Sequence, residues 1–202
     1  YGTVFYTVDG RSSNESLKGK FGGGPTVLWS KDFGVVISSM MNKKANKIDE
    51  ESDLTQSCVF GTIQKTKRFY TGDESPTFKW IEQDKVFEIS SPLRKPRGDL
   101  TWRYELEDDA VVIKAAIQSN MITQAWINLP LYTEAAGLDA KLISPQTLQI
   151  TRGTAVLQMT SLDGQPLKLT EPRATTHKSV QCLQIPLAGN GKFAGVRIQQ
   201  IN

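Results

Sequence analysis

Histidine, cysteine and charge of one sign are all scarce in this chain of 202 residues, and each shortage removes a class of function. Serine or cysteine nucleophiles usually recruit a histidine, and the only one is His177, in the polar run Ala174-Thr175-Thr176-His177-Lys178. No G-x-S-x-G elbow accompanies it, so a surface position is expected of it rather than a catalytic base. The two cysteines, Cys58 and Cys182, fit neither a dense disulfide framework nor a zinc spacing. They read as two separate buried thiols, with one long-range disulfide as the alternative. Lys and Arg number 24 against 21 Asp and Glu, and the resulting +3 is too small and too interspersed to drive nucleic-acid binding.

Long apolar runs are missing as well. None approaches the roughly 18 residues of a membrane-spanning helix, and no N-terminal run of positive charge, apolar stretch and cleavage site is present. The expectation is a soluble piece with neither a membrane nor a nucleic acid as partner. Because the chain opens on Tyr1, it reads as a processed protein or as part of something longer. No cofactor or metal is expected: the acidic run Asp49 to Asp53 forms no recognisable calcium loop and reads as a solvated face. Gly22-Gly23-Gly24 lacks the Lys-Ser/Thr ending and following helix of a phosphate-binding turn.

Helical spacing beyond two turns is not found either, and what remains is β pattern. Leu100, Trp102, Tyr104 and Leu106 alternate with Thr101, Arg103, Glu105 and Glu107, one set facing a core and the other water. A turn at Asp108-Asp109 then sets Val111, Ile113, Ala115 and Ile117 opposite Leu106, Tyr104, Trp102 and Leu100. By the same logic Asn190-Gly191 predicts a hairpin with Leu187, Ile185 and Leu183 opposite Ala194, Val196 and Ile198. Asp163-Gly164 predicts a third, joining Thr154–Thr160 to Pro166–Leu169. Pro186 should face an edge or a bulge, because it has no amide to donate.

Further strands are expected at Thr3–Val8, Thr26–Trp29, Phe33–Met41, Cys58–Thr66, Thr77–Trp80 and Val86–Ser90, the third of them central. Asp9–Gly24 and Asn42–Gln56 read as loops, the latter with room for a short helix over Asn46–Asp53. Pro92–Pro96 reads as a basic connection. With no linker and no internal repeat, the expectation is all-β, an antiparallel two-sheet sandwich formed as one domain over residues 1–202.

Candidate binding chemistry lies in Ile122–Leu129. Alternation puts Gln124, Trp126 and Asn128 on one face with Ile122, and Thr123, Ala125, Ile127 and Leu129 on the other. Aromatic rings stack on the apolar faces of sugars while amides pair with hydroxyls, so the trio suits a glycan; burial of Trp126 under other structure is the competing reading. Arg103 faces Lys114 across the Asp108-Asp109 hairpin, and two such cations repel unless an anion intervenes. Glu105 on the diagonal is one such anion and an acidic glycan another, so Arg103 and Lys114 join the candidate ligand residues. For an enzyme, Tyr132 or His177 would be the proton-transfer group of a small lyase or carbohydrate epimerase.

The stretch Gly22-Gly23-Gly24-Pro25-Thr26-Val27-Leu28-Trp29-Ser30-Lys31-Asp32-Phe33-Gly34, with the succession of strands after it, resembles the β-sandwich portion of heparinase II/III-like polysaccharide-lyase proteins. That portion is related to the galactose-mutarotase sandwich. The family's helical toroid has no counterpart here, and its tyrosine and histidine motifs match no segment. The resemblance therefore implies a non-catalytic, carbohydrate-associated sandwich from a secreted or periplasmic protein, binding a polysaccharide or oligosaccharide or packing on a catalytic neighbour. A structural or protein-interaction module is the remaining alternative.

Overall fold

The computed structural model describes residues 5–8, 24–39, 57–64, 67–70, 76–93, 96–132, 138–174 and 179–201. His177, the run Asp49 to Asp53, the expected helix over 46–53 and Arg94-Lys95 lie outside them. The strands are β1 (Phe5–Val8), β2 (Pro25–Ser30), β3 (Gly34–Ser38), β4 (Cys58–Ile63), β5 (Lys67–Tyr70), β6 (Thr77–Glu82), β7 (Val86–Leu93), β8 (Gly98–Leu106) and β9 (Ala110–Gln118). They continue with β10 (Ile122–Tyr132), β11 (Leu138–Ser144), β12 (Thr147–Arg152), β13 (Ala155–Ser161), β14 (Lys168–Leu169), β15 (Arg173–Ala174), β16 (Ser179–Leu187) and β17 (Ala194–Ile201). No helix occurs among the described residues.

All pairings are antiparallel and fall into two sheets. Sheet A runs β1-β2-β3-β10-β16-β14, with β4 and β5 added beside the first half of β10 and β15 beside the start of β16. Sheet B runs β11-β12-β13-β17-β9-β8-β7-β6. The expected all-β, two-sheet antiparallel sandwich is what forms. Inward-facing residues of both sheets make one hydrophobic core: Ile127, Leu129, Leu183 and Ile185 from sheet A meet Trp102, Tyr104, Ile113 and Val196 from sheet B. Trp102 and Tyr104, both fully buried, stack with centroids 6.5 Å apart, and Phe87 continues the stack at 4.8 Å from Tyr104. Arg152 of sheet B ties the layers together by donating from Nη1 to the carbonyl oxygen of Phe33, in the turn before β3, at 2.6 Å.

The β8–β9 hairpin has the register expected of it, from Leu100 opposite Ile117 to Leu106 opposite Val111. The Glu107 amide closes its turn by donating to the Ala110 carbonyl at 3.0 Å. The other two turns depart from expectation. Asn190-Gly191 does not join a ladder: β16 lies in sheet A and β17 in sheet B, between β9 and β13. Leu183, Ile185 and Leu187 do share the core with Ala194, Val196 and Ile198, but across the interior of the sandwich. The Asp163-Gly164 segment likewise crosses from β13 in sheet B to β14 in sheet A. Period-two alternation identifies which side chains face a core, and it is the same whether the matching row lies across a ladder or about 10 Å away in the opposite sheet. Pro186 behaves as expected, since the pairing of β14 to β16 covers only Leu183 and Gln184 and leaves the edge open beside it. β3 is central, paired to β2 and β10, with Val36 and Ile37 buried.

Candidate functional site

β10 is the longest strand of sheet A, and its alternation divides core from outer face. Ala125, Ile127, Leu129 and Leu131 are buried in the core, so Gln124, Trp126, Asn128 and Tyr132 stand on the outer face. Register carries that face onto the neighbours. Phe60 lies opposite Trp126, Cys58 opposite Asn128 and Thr62 opposite Gln124 on β4. On β16, Pro186 lies opposite Trp126, Gln184 opposite Asn128 and Cys182 opposite Pro130.

Gly61 makes the close pairing of β4 with β10 feasible. It faces Ala125, and a Cβ there would overlap the carbonyl oxygen of Gln124 and come within 2.9 Å of the Phe69 ring. With β4 seated in this way, Phe60 and Trp126 stack, centroids 5.5 Å apart and planes 18° from parallel. Phe60 is buried, while Trp126 stays half-buried beside an exposed Gln124 and a partly exposed Pro186. The trio expected from sequence therefore shares a face but not an exposure. Asn128 is fully buried, and its Nδ2 donates to Cys182 Sγ at 3.7 Å. Only Gln124 offers its amide to water.

Neither thiol is in a disulfide and both are buried, as separate thiols should be. β10 runs between their strands, so about 9.6 Å of sheet separates β4 from β16, beyond the Cα spacing that a disulfide tolerates. Burial pushes the Cys58 thiol far above its ordinary value of 9.0, with Cys182 adding to the shift. Cys58 is thus held as a neutral thiol, which is a packing group and not a nucleophile.

Arg103 and Lys114 lie elsewhere, on the outer face of sheet B, opposite each other as expected. Glu105 is the intervening anion, 3.0 Å from Arg103 and 2.6 Å from Lys114. Glu88 adds a second contact to Arg103 at 3.3 Å, and Lys114 Nζ sits 5.6 Å from the centre of the Phe193 ring. Two cations and two carboxylates balance here without a ligand, and the core separates them from Trp126. Tyr132 shares the face of Trp126, but six residues along β10 place it about 20 Å away.

One feature escapes sequence reading. A cleft of about 640 Å³ opens between the sheets, with Leu28 and Val36 from sheet A and Val111 and Ile198 from sheet B among its lining. Its rim carries Asp32, Glu107, Asp108 and Asp109. Arg197 binds Glu107 at 2.9 Å and Asp109 at 3.1 Å, and Gln200 donates to Asp32 at 2.7 Å. These residues come from two turns and the last strand, so no local motif announces them. Among the described residues no cluster of His, Cys, Asp and Glu is arranged to hold a metal ion.

No family model matches the chain, and no curated protein matches it. Among solved structures it is similar to a putative aldose 1-epimerase from Escherichia coli K12. The two are 10% identical, with a TM-score of 0.55 over 100% of this chain and 99% of that one. The protein HI1317 overlays more loosely, with a TM-score of 0.42 and 8% identity over 100% of both chains. At that identity the first likeness shows a shared sandwich fold. It agrees with the galactose-mutarotase relation expected from sequence and leaves the heparinase relation as a resemblance.

Proposed function

We propose that this chain is a non-catalytic, carbohydrate-associated sandwich that binds a glycan on the outer face of sheet A around Trp126. One observation carries the reading: Trp126 is braced on one side by the buried Phe60 yet remains partly open to solvent, next to the exposed amide of Gln124. A braced indole loses little freedom when a sugar ring stacks on it, and an adjacent amide orients the hydroxyls. The fold shared with a putative aldose 1-epimerase makes a sugar the natural ligand class to test first. Arg103 and Lys114 have no part in this site, because Glu105 and Glu88 already balance them. A secreted or periplasmic location and a catalytic neighbour belong to the same proposal.

An epimerase or lyase reading would use Tyr132, which shares the face. At about 20 Å from Trp126, Tyr132 would need a polymer to link the two positions, and a monosaccharide bound at Trp126 would not reach it. A glycan array on the purified chain tests the proposal, with Trp126→Ala as the comparison. Binding that is lost in the variant supports it. Binding unaffected by the substitution, or conversion of a bound sugar abolished by Tyr132→Phe, replaces it.

A further inference from the structure

Sheet B ends in two edge strands, β6 and β11. Among the described residues, five of the eight exposed large apolar side chains sit on them: Phe78, Trp80 and Ile81 on β6, Leu142 and Ile143 on β11. An edge strand bonds its neighbour through alternate residues and leaves the amides and carbonyls between them unpaired, so each edge is a template for one more strand. β6 is protected against a second β6, because laying Phe78 on Trp80 of another copy sets Lys79 against Lys79.

β11 has the opposite character. Leu138, Ala140 and Leu142 form its core-side row, across from Arg152, Ile150 and Leu148 of β12, and Asp139 and Lys141 alternate with them on the outer side. Both charged residues are exposed, and neither makes an ion pair among the described residues. A second copy laid antiparallel with Ala140 opposite Ala140 sets Asp139 opposite Lys141 and Lys141 opposite Asp139. Leu138 then faces Leu142 on both sides of the axis. Slipping by one residue sets the core-side row of one copy against the outer row of the other. Of the neighbouring in-phase registers, one sets Asp139 against Asp139 and the other Lys141 against Lys141. A single register therefore satisfies faces and charges together. The pairing of β11 with β12 is regular over Leu138 to Leu142, and its irregularity falls beyond, between Leu142 and Ser144.

We infer that the chain forms a two-fold dimer in which β11 pairs with β11 of a second copy and joins their sheets B into one. The interface is isologous, with its axis at Ala140, so it closes at two copies. Pairing β6 of one copy with β11 of the next would match one ion pair, Lys79 with Asp139, and would not close. Because the axis is perpendicular to the joined sheet, the outer faces of both sheets A point the same way. The inference stands whether or not that face binds a sugar. Five paired residues make a contact about 17 Å long, small beside the roughly 1,200–2,000 Å² of a stable interface, so association belongs in the micromolar range.

Sedimentation velocity of the whole chain from about 1 to about 500 μM tests this. The expected result is a weight-average mass that rises toward twice that of one chain and goes no further. Asp139→Lys and Lys141→Asp should each weaken association about tenfold or more by setting like charges against each other, and the double variant D139K/K141D should return it to within about threefold. Both positions are exposed, so neither change disturbs the core. Lys79→Glu, on the other edge, should have no effect. A chain that stays monomeric throughout, a double variant that associates no more tightly than the single ones, or a dimer lost in Lys79→Glu would overturn the inference. Growth past two copies would overturn it in favour of head-to-tail pairing of β6 with β11.

Discussion

Trp102 shares its face with Leu100, Tyr104 and Leu106 and is fully buried, whereas Trp126 shares its face with Gln124 and Asn128 and is half-buried. Trp102→Ala should leave a cavity in the shared core and cost about 3–5 kcal/mol in urea unfolding. Trp126→Ala removes one stacked partner from a half-open site and should cost about 1–2 kcal/mol. Equal and large losses would make Trp126 a core residue and remove the platform. Cys58 provides a second test. Its folded-state pKa is raised, so the native protein keeps a proton that the unfolded chain releases near 9.0. The stability from this group is therefore complete below pH 9 and declines as the pH rises above it. Native protein should accordingly react slowly with a disulfide reagent at pH 8 and fully in urea, and rapid native labelling would contradict the burial. Glu105→Gln leaves Arg103 facing Lys114 with one anion fewer, and should cost about 0.5–1 kcal/mol in low salt and less in high salt. A loss of stability that salt does not reduce would argue against repulsion as its cause.

Among the elements, the register of β8 and β9 was legible because one pairing about two polar turn residues sets Leu100, Trp102, Tyr104 and Leu106 opposite Ile117, Ala115, Ile113 and Val111. Leu183–Leu187 and Ala194–Ile198 alternate as well, and Gly191 has the positive φ that its turn position suggested. What alternation does not encode is the layer to which each strand belongs, and both misread turns are places where the chain changes layer. The same gap split the candidate site. Gln124 and Trp126 were placed together correctly by period two. Arg103 and Lys114 were paired correctly but belong to the other sheet, and the burial of Asn128 depends on packing over the outer face that no local pattern records. Gly61 was not singled out, although β4 depends on it. Gly61→Ala should push β4 away from β10, lower stability by about 2–3 kcal/mol and alter the fluorescence of Trp126. An unchanged unfolding midpoint would mean that the two strands approach less closely than described.

For the molecule as a whole, two sheets with one shared core leave two outer faces of opposite character. On sheet B, Glu88 and Glu105 balance Arg103 and Lys114, and Glu107 and Asp109 of the adjoining turn balance Arg197. Sheet A has basic residues and no carboxylate in its strands, and carries Trp126, half-buried and stacked on the buried Phe60. The sequence could not display this contrast, because β5, β4, β10, β16 and β14 are scattered from residue 58 to residue 187 and become neighbours only in the sheet. The central claim is that a glycan binds on that face, and amide chemical-shift mapping of the isotope-labelled chain during titration with galacturonate hexamer and xylohexaose tests it most directly. The account predicts shifts gathered at Thr62, Gln124, the Trp126 indole and Gln184, with Arg103, Lys114 and Trp102 unmoved. Shifts gathered instead around Arg103 and Lys114 or at the Asp32–Asp108 cleft, or none with either sugar, would contradict it.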